Sequence, residues 1–315
     1  MSSNQPESRL SLPRGIVSVM QTPFDEQGRI DWNSLGRLVD DAITAGVAGF
    51  LAPAVASEVA ALTSDERKEL LRFLSAQIQG RVPLIVGASS DDPQICRDMA
   101  RLAEELAAAA WLVSVPQPCY RQPESTLTFF QSVARDCRLP LIVQDLQFGG
   151  PGLPLDVLDR LRREIPLIQG IKIETVPVGP KYTAVREMCG NGFYIAGGWA
   201  VPQMIEALDR GIDAMIPESS MIRVYQAVDR RYQSGDRTAA LRLFRELLPI
   251  LAFTNQELLT SIAFFKLLLK RKGIFSCDAL RVPGFTWDAY NRRIAEELID
   301  YYLQVESQCP MEWAS

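Results

Sequence analysis

The sequence contains no histidine in its 315 residues. This absence excludes Ser-His and Cys-His nucleophile systems, histidine-ligated metal sites and imidazole acid–base chemistry. Proton transfer must then use lysine, tyrosine, aspartate, glutamate, the substrate or water. Any nucleophile is expected among the lysines, the cysteines and the carboxylates, and this favours amine chemistry at a lysine.

Other absences narrow the class of protein further. The six cysteines form no CxxC pair, so no zinc or redox motif is indicated, and we expect reduced cysteines in a cytoplasmic protein. No apolar run reaches transmembrane length, so no membrane partner is expected. The net charge is −5 and no basic stripe is present, so nucleic acid is not an expected partner. Residues 1–13 lack the apolar core of a signal peptide and are interpreted as a mobile arm.

Short apolar segments and helix-type patterns alternate eight times between residues 14 and 233. The predicted strands are 15–20, 49–53, 83–88, 111–116, 139–145, 167–174, 193–198 and 214–217. This succession predicts an α/β fold, a (β/α)8 or TIM barrel, over residues 14–233. Residues 234–305 contain only helical patterns, at 236–251, 255–272 and 286–303, and predict a C-terminal helical extension. A loose tail is expected at 306–315.

The sixth predicted strand carries one lysine. Its sequence is Leu-Ile-Gln-Gly-Ile-Lys-Ile-Glu over residues 167–174, and its β-branched residues suit a strand covered on both faces. Lys172 near its C-terminal end would have little water to solvate an ammonium, and a neutral amine is a nucleophile that condenses with carbonyls. A lysine that reaches the surface or pairs with Glu174 is the other interpretation. From this strand alone, the nucleophilic and the structural interpretations of Lys172 are equally supported.

In a barrel of this type the chemistry lies at the C-terminal ends of the strands. The positions to inspect are Thr22, residues 54–58, Ala88, Ser89, residues 116–120, Gln144, Asp145, residues 172–174, Gly197, Gly198 and Glu218. Side chains alternate along a strand, so one residue of each adjacent pair should face the helices. Asp145 and Glu174 lie next to site positions and are subject to this rule.

Ordered motifs over about residues 14–303 resemble the dihydrodipicolinate synthase / N-acetylneuraminate lyase family of class I, Schiff-base-forming aldolases. Gly170-Ile-Lys172 corresponds to the Gly-Ile-Lys of the family's Schiff-base strand. Residues 139–145 parallel its Leu-Pro-x-x-x-Tyr-Asn. Further corresponding positions are Thr22-Pro-Phe, Ala54-Val-Ala-Ser-Glu58, Leu62-Thr63, Glu66, Pro118-Cys-Tyr120, Lys266, Arg271-Lys-Gly273 and Arg281-Val-Pro283. The chain is similar to a divergent member.

The resemblance implies that Lys172 is the Schiff-base lysine. It would form an imine with the C2 carbonyl of pyruvate or another small 2-oxo acid. The protonated imine withdraws electrons, so C3 can lose a proton or the C3–C4 bond can break. No metal or organic cofactor would be needed. The family habit further implies a homo-oligomer, a dimer or a tetramer.

The sequence departs from the family pattern inside the implied site. Gln144 stands where the family has a proton-relaying tyrosine, and an amide is not an acid or base near neutral pH. Val55 and Ala56 replace two threonines, one in the relay and one that holds the substrate carboxylate. The loop at residues 148–151 lacks the arginine of the synthase branch. Typical dihydrodipicolinate synthesis is therefore disfavoured.

Other groups are candidates to replace the missing side chains. Tyr120 and Glu218 are predicted to be catalytic together with Lys172 and Gln144. The family counterpart of Tyr120 reaches into a neighbouring subunit's site, which requires a dimer. Glu218 is equally well interpreted as a residue that caps the next helix.

Two segments are predicted to contact the substrate. They comprise Val55, Ala56, Ser57 and Glu58 after strand two, and Gly197 and Gly198 after strand seven. Glu58 is also open to a structural interpretation, as a helix cap or the partner of a nearby base. The two glycines would let a substrate approach the backbone, or would serve packing alone.

Three hypotheses about function follow. The first is a class I aldolase or lyase that forms a Lys172 imine with a 2-oxo acid and makes or breaks a C–C bond or eliminates water. The second is a hydratase-aldolase that acts on hydrophobic pyruvate adducts. The third is a non-catalytic, ligand-binding barrel that has lost the tyrosine relay.

Overall fold

A computed structural model describes residues 12–199 and 201–309 of the chain. The predicted N-terminal arm lies almost entirely outside the described residues, as do the last six residues of the predicted tail. Within the described part, helix α11 (Ala289–Ser307) extends two residues into the segment that we expected to be loose. No helix of the described part has the length and apolarity needed to cross a membrane.

Eight parallel strands form a closed barrel in which β1 pairs with β2 and with β8. Their bounds are β1 Gly15–Val19, β2 Gly49–Ala52, β3 Leu84–Gly87, β4 Ala110–Ser114, β5 Leu141–Leu146, β6 Ile168–Glu174, β7 Tyr194–Gly197 and β8 Ala214–Met215. The predicted TIM barrel is therefore confirmed. Nearly all strand residues are buried because helices cover the outer face and side chains fill the interior.

A helix follows each strand and packs on the outside of the barrel. These helices are α1 Trp32–Thr44, α2 Ser64–Ile78, α3 Pro93–Glu105, α4 Pro123–Val133, α5 Leu155–Glu164, α6 Gly179–Cys189, α7 Met204–Asp209 and α8 Ile222–Gln233. The predicted capping box of α2 is present: the Thr63 hydroxyl accepts from the Glu66 N–H, and the Glu66 carboxylate accepts from the Thr63 N–H. Local capping signals thus fixed where this helix begins.

The C-terminal extension consists of α9 Arg237–Thr254, α10 Leu258–Arg271 and α11. Helix α9 packs against α8, α10 and α11. Strand β8 is shorter than predicted and ends at Met215. Pro217 cannot donate a ladder hydrogen bond, although its carbonyl accepts from the Val19 N–H at 2.8 Å. Beyond β8 the chain stays beside its neighbours, since the Ile216 N–H donates to the Gly197 carbonyl at 2.8 Å and an isolated bridge pairs Val19 with Glu218.

Candidate active site

Lys172 lies on the inner side of β6, near the C-terminal end of the strand. Only 4% of its side chain is exposed, and its Nζ donates to Oε1 of Glu174 at 2.9 Å. Both residues line a cavity of about 70 Å³ at the barrel mouth. The cavity can hold several water molecules, since one water needs roughly 10–15 Å³. The pairing with Glu174 that the sequence left open is present, and the pair borders the cavity.

Glu174 is the main site residue that the sequence interpretation missed. It is two residues after Lys172 on the same strand, so both side chains point to the same face. Its Oε1 also accepts from the Trp199 N–H at 2.6 Å, and its Oε2 accepts from Nε2 of Gln144 at 2.5 Å. The period-two rule contained this signal. Residues two positions apart on a strand share a face, so Lys172 and Glu174 point to the same side.

Gln144 occupies the predicted position on β5 and lines the cavity. Its Oε1 accepts from the Ser114 hydroxyl at 2.5 Å, and the Ser114 hydroxyl accepts from Ser89 at 3.1 Å. A chain of hydrogen bonds therefore runs from Ser89, which follows β3, through Ser114 of β4 and Gln144 of β5 to Glu174 of β6. This chain fixes the amide of Gln144 with its NH₂ group toward the carboxylate.

The loop after β2 divides into a cavity wall and a structural part. Val55 and Ala56 line the cavity, and they begin a short 3-10 turn (Val55–Ser57) whose first N–H groups have no partner within the turn. Ser57 is buried outside the cavity wall, where its hydroxyl donates to the Met20 carbonyl and accepts from the Ala54 N–H. Thus Val55 and Ala56 are placed where a substrate could contact them, and Ser57 holds the loop together.

Glu58 is completely enclosed and does not reach the cavity. Its carboxylate pairs with Lys266 of α10 and accepts from the Arg281 N–H at 2.8 Å. The Lys266 ammonium also donates to the Ala279 carbonyl at 2.9 Å and lies 4.3 Å from the centre of the Phe24 ring. The structural interpretation, a pair with a base, describes Glu58, and its predicted contact with substrate is corrected.

The two glycines after β7 have different neighbours. A Cβ at Gly198 would overlap the side chains of Lys172 and Glu174, so only glycine leaves room for this pair. A Cβ at Gly197 would instead meet the Tyr182 hydroxyl and the Met215 thioether. Gly198 therefore belongs to the site, whereas Gly197 serves the packing of β7 against α6 and β8.

Glu218 lines the cavity beyond β8 and binds the backbone just before α8. Its carboxylate accepts from the Ser220 N–H and, at 3.2 Å, from the Met221 N–H. Burial raises the pKa of Glu218 to about 7, although these backbone donors and Lys272 act in the opposite direction. Glu218 therefore lies at the mouth as predicted, whereas α8 begins after Met221 without a side-chain cap, so the capping interpretation is not supported.

Tyr120 does not line the cavity of its own chain. It lies on the short turn Gln117–Arg121, where its hydroxyl is buried near the Asp145 carboxylate. Burial first, and Asp145 second, raise the pKa of this phenol above its ordinary range. Asp145 faces the helices, as alternation predicts, and pairs with Lys181 of α6 at 2.5 Å. The geometry within one chain thus gives Tyr120 no contact with Lys172.

Most of the cavity wall is apolar. Side chains from the strand ends, from the loops after them and from helices α9 and α10 contribute to it: Val19, Val55, Leu146, Phe148, Trp199, Val201, Ile216, Leu251, Leu258 and Phe265. Phe148 is 54% exposed and stacks edge-to-face on Trp199, with ring centres 5.5 Å apart. The contributions of α9 and α10 had no signal in the sequence, because only the packing of the extension brings these helices to the barrel mouth.

The polar groups of the cavity are a lysine, two carboxylates, a few amides and hydroxyls, and backbone N–H groups. No cluster of three or more Cys, Asp or Glu side chains suited to a metal ion occurs in the described ranges. The arrangement can supply an amine nucleophile beside a carboxylate that accepts and returns a proton. This is the chemistry of carbonyl condensation.

Comparison with known proteins agrees with this geometry. The dihydrodipicolinate synthetase family model matches residues 12–302. L-2-keto-3-deoxyarabonate dehydratase of Azospirillum brasilense is 29% identical over 276 residues, which cover 86% of this chain and 88% of the relative. A 4-hydroxy-tetrahydrodipicolinate synthase of Nitratidesulfovibrio vulgaris (strain DP4) is 29% identical over 241 residues, covering 75% and 81% of the two chains.

The fold has close counterparts among solved structures. Dihydrodipicolinate synthase from Rhodopseudomonas palustris superimposes with a TM-score of 0.83 at 23% identity, over 91% of this chain and 97% of that one. The family match extends from the start of the barrel into α11 and includes the strand that carries Lys172. The chain belongs to the dihydrodipicolinate synthetase family and is an enzyme of the lyase and aldolase type.

Proposed function

We propose that the protein is a 2-oxo acid lyase that forms an imine between Lys172 and the C2 carbonyl of its substrate. The observation that carries this proposal is the Lys172–Glu174 pair, 2.9 Å apart and facing a cavity at the C-terminal end of the barrel. An amine nucleophile and a carboxylate base stand within hydrogen-bond distance there. Pyruvate or a larger 2-oxo acid is the substrate class.

The first step needs a neutral amine. The Lys172 ammonium gives its proton to Glu174, and the free amine adds to C2 to form a carbinolamine. Glu174 then returns the proton to the departing hydroxyl, water leaves, and the nitrogen remains as a protonated imine. One carboxylate therefore performs both transfers that the family assigns to a tyrosine relay.

The second step uses the imine as an electron sink. In water elimination, Glu174 removes a proton from C3, an enamine forms, and the C4 hydroxyl leaves with the proton as water. In aldol cleavage, the C4 hydroxyl loses its proton, the C3–C4 bond breaks, and the enamine takes up a proton at C3. Hydrolysis of the imine restores Lys172 in both cases. The relative that is a 2-keto-3-deoxyarabonate dehydratase favours elimination as one of these outcomes.

Gln144 cannot transfer protons, and we assign it a positioning role. Its amide donates to Glu174 Oε2 and, with the Trp199 N–H, holds the carboxylate beside Lys172. The backbone N–H groups at Val55 and Ala56 are the available donors for the substrate carboxylate, since both side chains are apolar.

A second candidate is a hydratase-aldolase that acts on pyruvate adducts with a hydrophobic substituent. The apolar cavity wall favours it, because an apolar surface lacks partners for the several hydroxyls of a sugar acid. The same imine chemistry applies, and only the substituent at C4 differs. A non-catalytic barrel would bind ligands without any covalent step.

Reductive trapping tests the proposal. We expect pyruvate with borohydride to add one reduced pyruvyl group to Lys172, located by peptide mass spectrometry. Lys172→Ala should abolish the adduct. Lys181→Ala is the matched control, since Lys181 is another carboxylate-paired lysine, 9% exposed in its side chain, that lies off the cavity, and this variant should keep the adduct. A panel of 2-oxo acids that leaves the folded protein without any adduct would refute the imine mechanism and favour the non-catalytic barrel.

A further inference from the structure

A buried tyrosine lines the cavity, and its hydroxyl has no hydrogen-bond partner among the described residues. Tyr225 projects from α8, is fully buried, and lines the cavity. Its hydroxyl makes no hydrogen bond to any described residue. A buried hydroxyl without a partner is costly, so its persistence at a cavity indicates that something in the cavity supplies the missing bond.

Glu218 is the polar neighbour of Tyr225. The carboxylate influences the Tyr225 phenol electrostatically and lines the same cavity. It receives one bond at each oxygen, from the Ser220 and Met221 N–H groups. A carboxylate has about four lone-pair positions, so acceptor capacity remains free. One acceptor and one hydroxyl therefore stand together at the same end of the cavity.

The separation from Lys172 sets the length of a molecule that could reach both ends. Lys172 lies at the end of β6, and Glu218 follows β8, with only β7 between these strands. Neighbouring strands lie about 4.8 Å apart, so the backbones at the ends of β6 and β8 are roughly 10 Å from each other across the sheet. Ile216 and Val201 line the cavity in this part of the wall. The intervening section of a ligand must therefore be apolar.

We propose that Glu218 and Tyr225 form a distal subsite that binds a hydroxyl group at the far end of an apolar substituent on the 2-oxo acid. The hydroxyl donates to the Glu218 carboxylate and accepts from the Tyr225 phenol. A ligand hydroxyl can do both at once, whereas an ether or halogen cannot donate. This inference rests on the proposed function, because it assumes that the 2-oxo acid end lies at Lys172.

A matched pair of ligands tests the subsite by equilibrium binding. The probes are 4-(4-hydroxyphenyl)-2-oxobutanoate and 4-phenyl-2-oxobutanoate, which differ only in the terminal hydroxyl. We expect the wild-type protein to bind the hydroxylated probe about tenfold or more tightly, as one well-placed hydrogen bond allows. Tyr225→Phe should reduce this preference about tenfold and change the affinity for the phenyl probe by less than about threefold.

Two further variants complete the design. Glu218→Gln keeps the shape and weakens the acceptor, and should also reduce the preference. Tyr182→Phe removes a different buried phenol that does not line the cavity, and should leave the preference unchanged. If wild type and Tyr225→Phe prefer the hydroxylated probe to the same extent, the subsite proposal is wrong. It is also wrong if neither probe binds.

Borohydride trapping of the same probes separates this inference from the proposed function. If both probes form an adduct at Lys172 but the hydroxyl preference is absent, the subsite fails and the imine mechanism stands. If the preference is present without any adduct, the imine mechanism fails and the subsite stands.

Discussion

Among the described residues, two lysine–glutamate pairs are buried, and their surroundings differ. The Lys172–Glu174 pair borders a cavity, and its carboxylate also accepts from Gln144 and the Trp199 N–H. The Lys266–Glu58 pair is sealed, with both side chains completely buried. Burial is the main cause of a lowered pKa at Lys266, and Glu58 opposes it.

The difference shows what makes a buried ion pair a site. Both pairs combine the same residue types, and both lysines match family positions in the sequence. A sealed pair can only position the segments that carry it, here the loop after β2 and helix α10. A pair at a cavity can also exchange protons with a ligand. Access to the cavity, more than burial or charge, therefore separates the proposed chemical role of the Lys172 pair from the structural role of the Lys266 pair.

Among the substitutions of carboxylates, Glu174→Gln should cause the largest loss of catalytic rate. The amide keeps the shape but cannot accept a proton, so general base catalysis should fall roughly 10²–10⁴-fold. We suggest measuring exchange of the pyruvate methyl protons with solvent deuterium by NMR. This exchange requires the imine and removal of a C3 proton, and it needs no knowledge of the physiological substrate.

Glu58→Gln is the matched control for that measurement. Its folded fraction should exchange pyruvate protons at close to the wild-type rate, although the variant should be less stable. An exchange rate in Glu174→Gln within about threefold of wild type would exclude Glu174 as the base. A large loss in folded Glu58→Gln would mean that the sealed pair also controls the chemistry.

Lys266→Met tests the structural role of the sealed Lys266–Glu58 pair. Removing one partner of a sealed ion pair leaves an uncompensated charge, and the free energy of unfolding should fall by about 3–5 kcal/mol. Lys172→Met should lower the free energy of unfolding by less, because Glu174 keeps the Gln144 amide and the Trp199 N–H as donors and water can enter the cavity. Urea denaturation of both variants at neutral pH measures the difference. Equal losses would mean that the cavity does not relieve the unpaired carboxylate.

The sequence was sufficient to predict the barrel and the position of Lys172, for identifiable reasons. Alternation of apolar strands and helices is a local signal, and the end of a strand places its residues at the mouth. The enclosed pair of Glu58 could not be predicted, since its partner Lys266 is 208 residues away. Tyr225 joins the cavity through the packing of α8, and Phe265 joins it through the packing of α10. These contacts depend on tertiary geometry that no local pattern contains.

Glu218 lies between the two extremes, since it borders the cavity but is also held by backbone N–H groups. Its pKa of about 7, raised from 4.5, means that the folded state keeps a proton that the unfolded state loses between these pH values. The free energy of unfolding should therefore decrease as pH rises through this window, by up to about 3 kcal/mol. The free energy of unfolding of Glu218→Gln, relative to that of the wild type, should therefore rise by the same amount between pH 4.5 and pH 8, as measured by urea denaturation.

Glu69→Gln on the exposed face of α2 controls for loss of a carboxylate. A wild-type-to-variant difference that is the same at both pH values would mean that the backbone donors keep Glu218 ionised, so that it would act only as a charged acceptor.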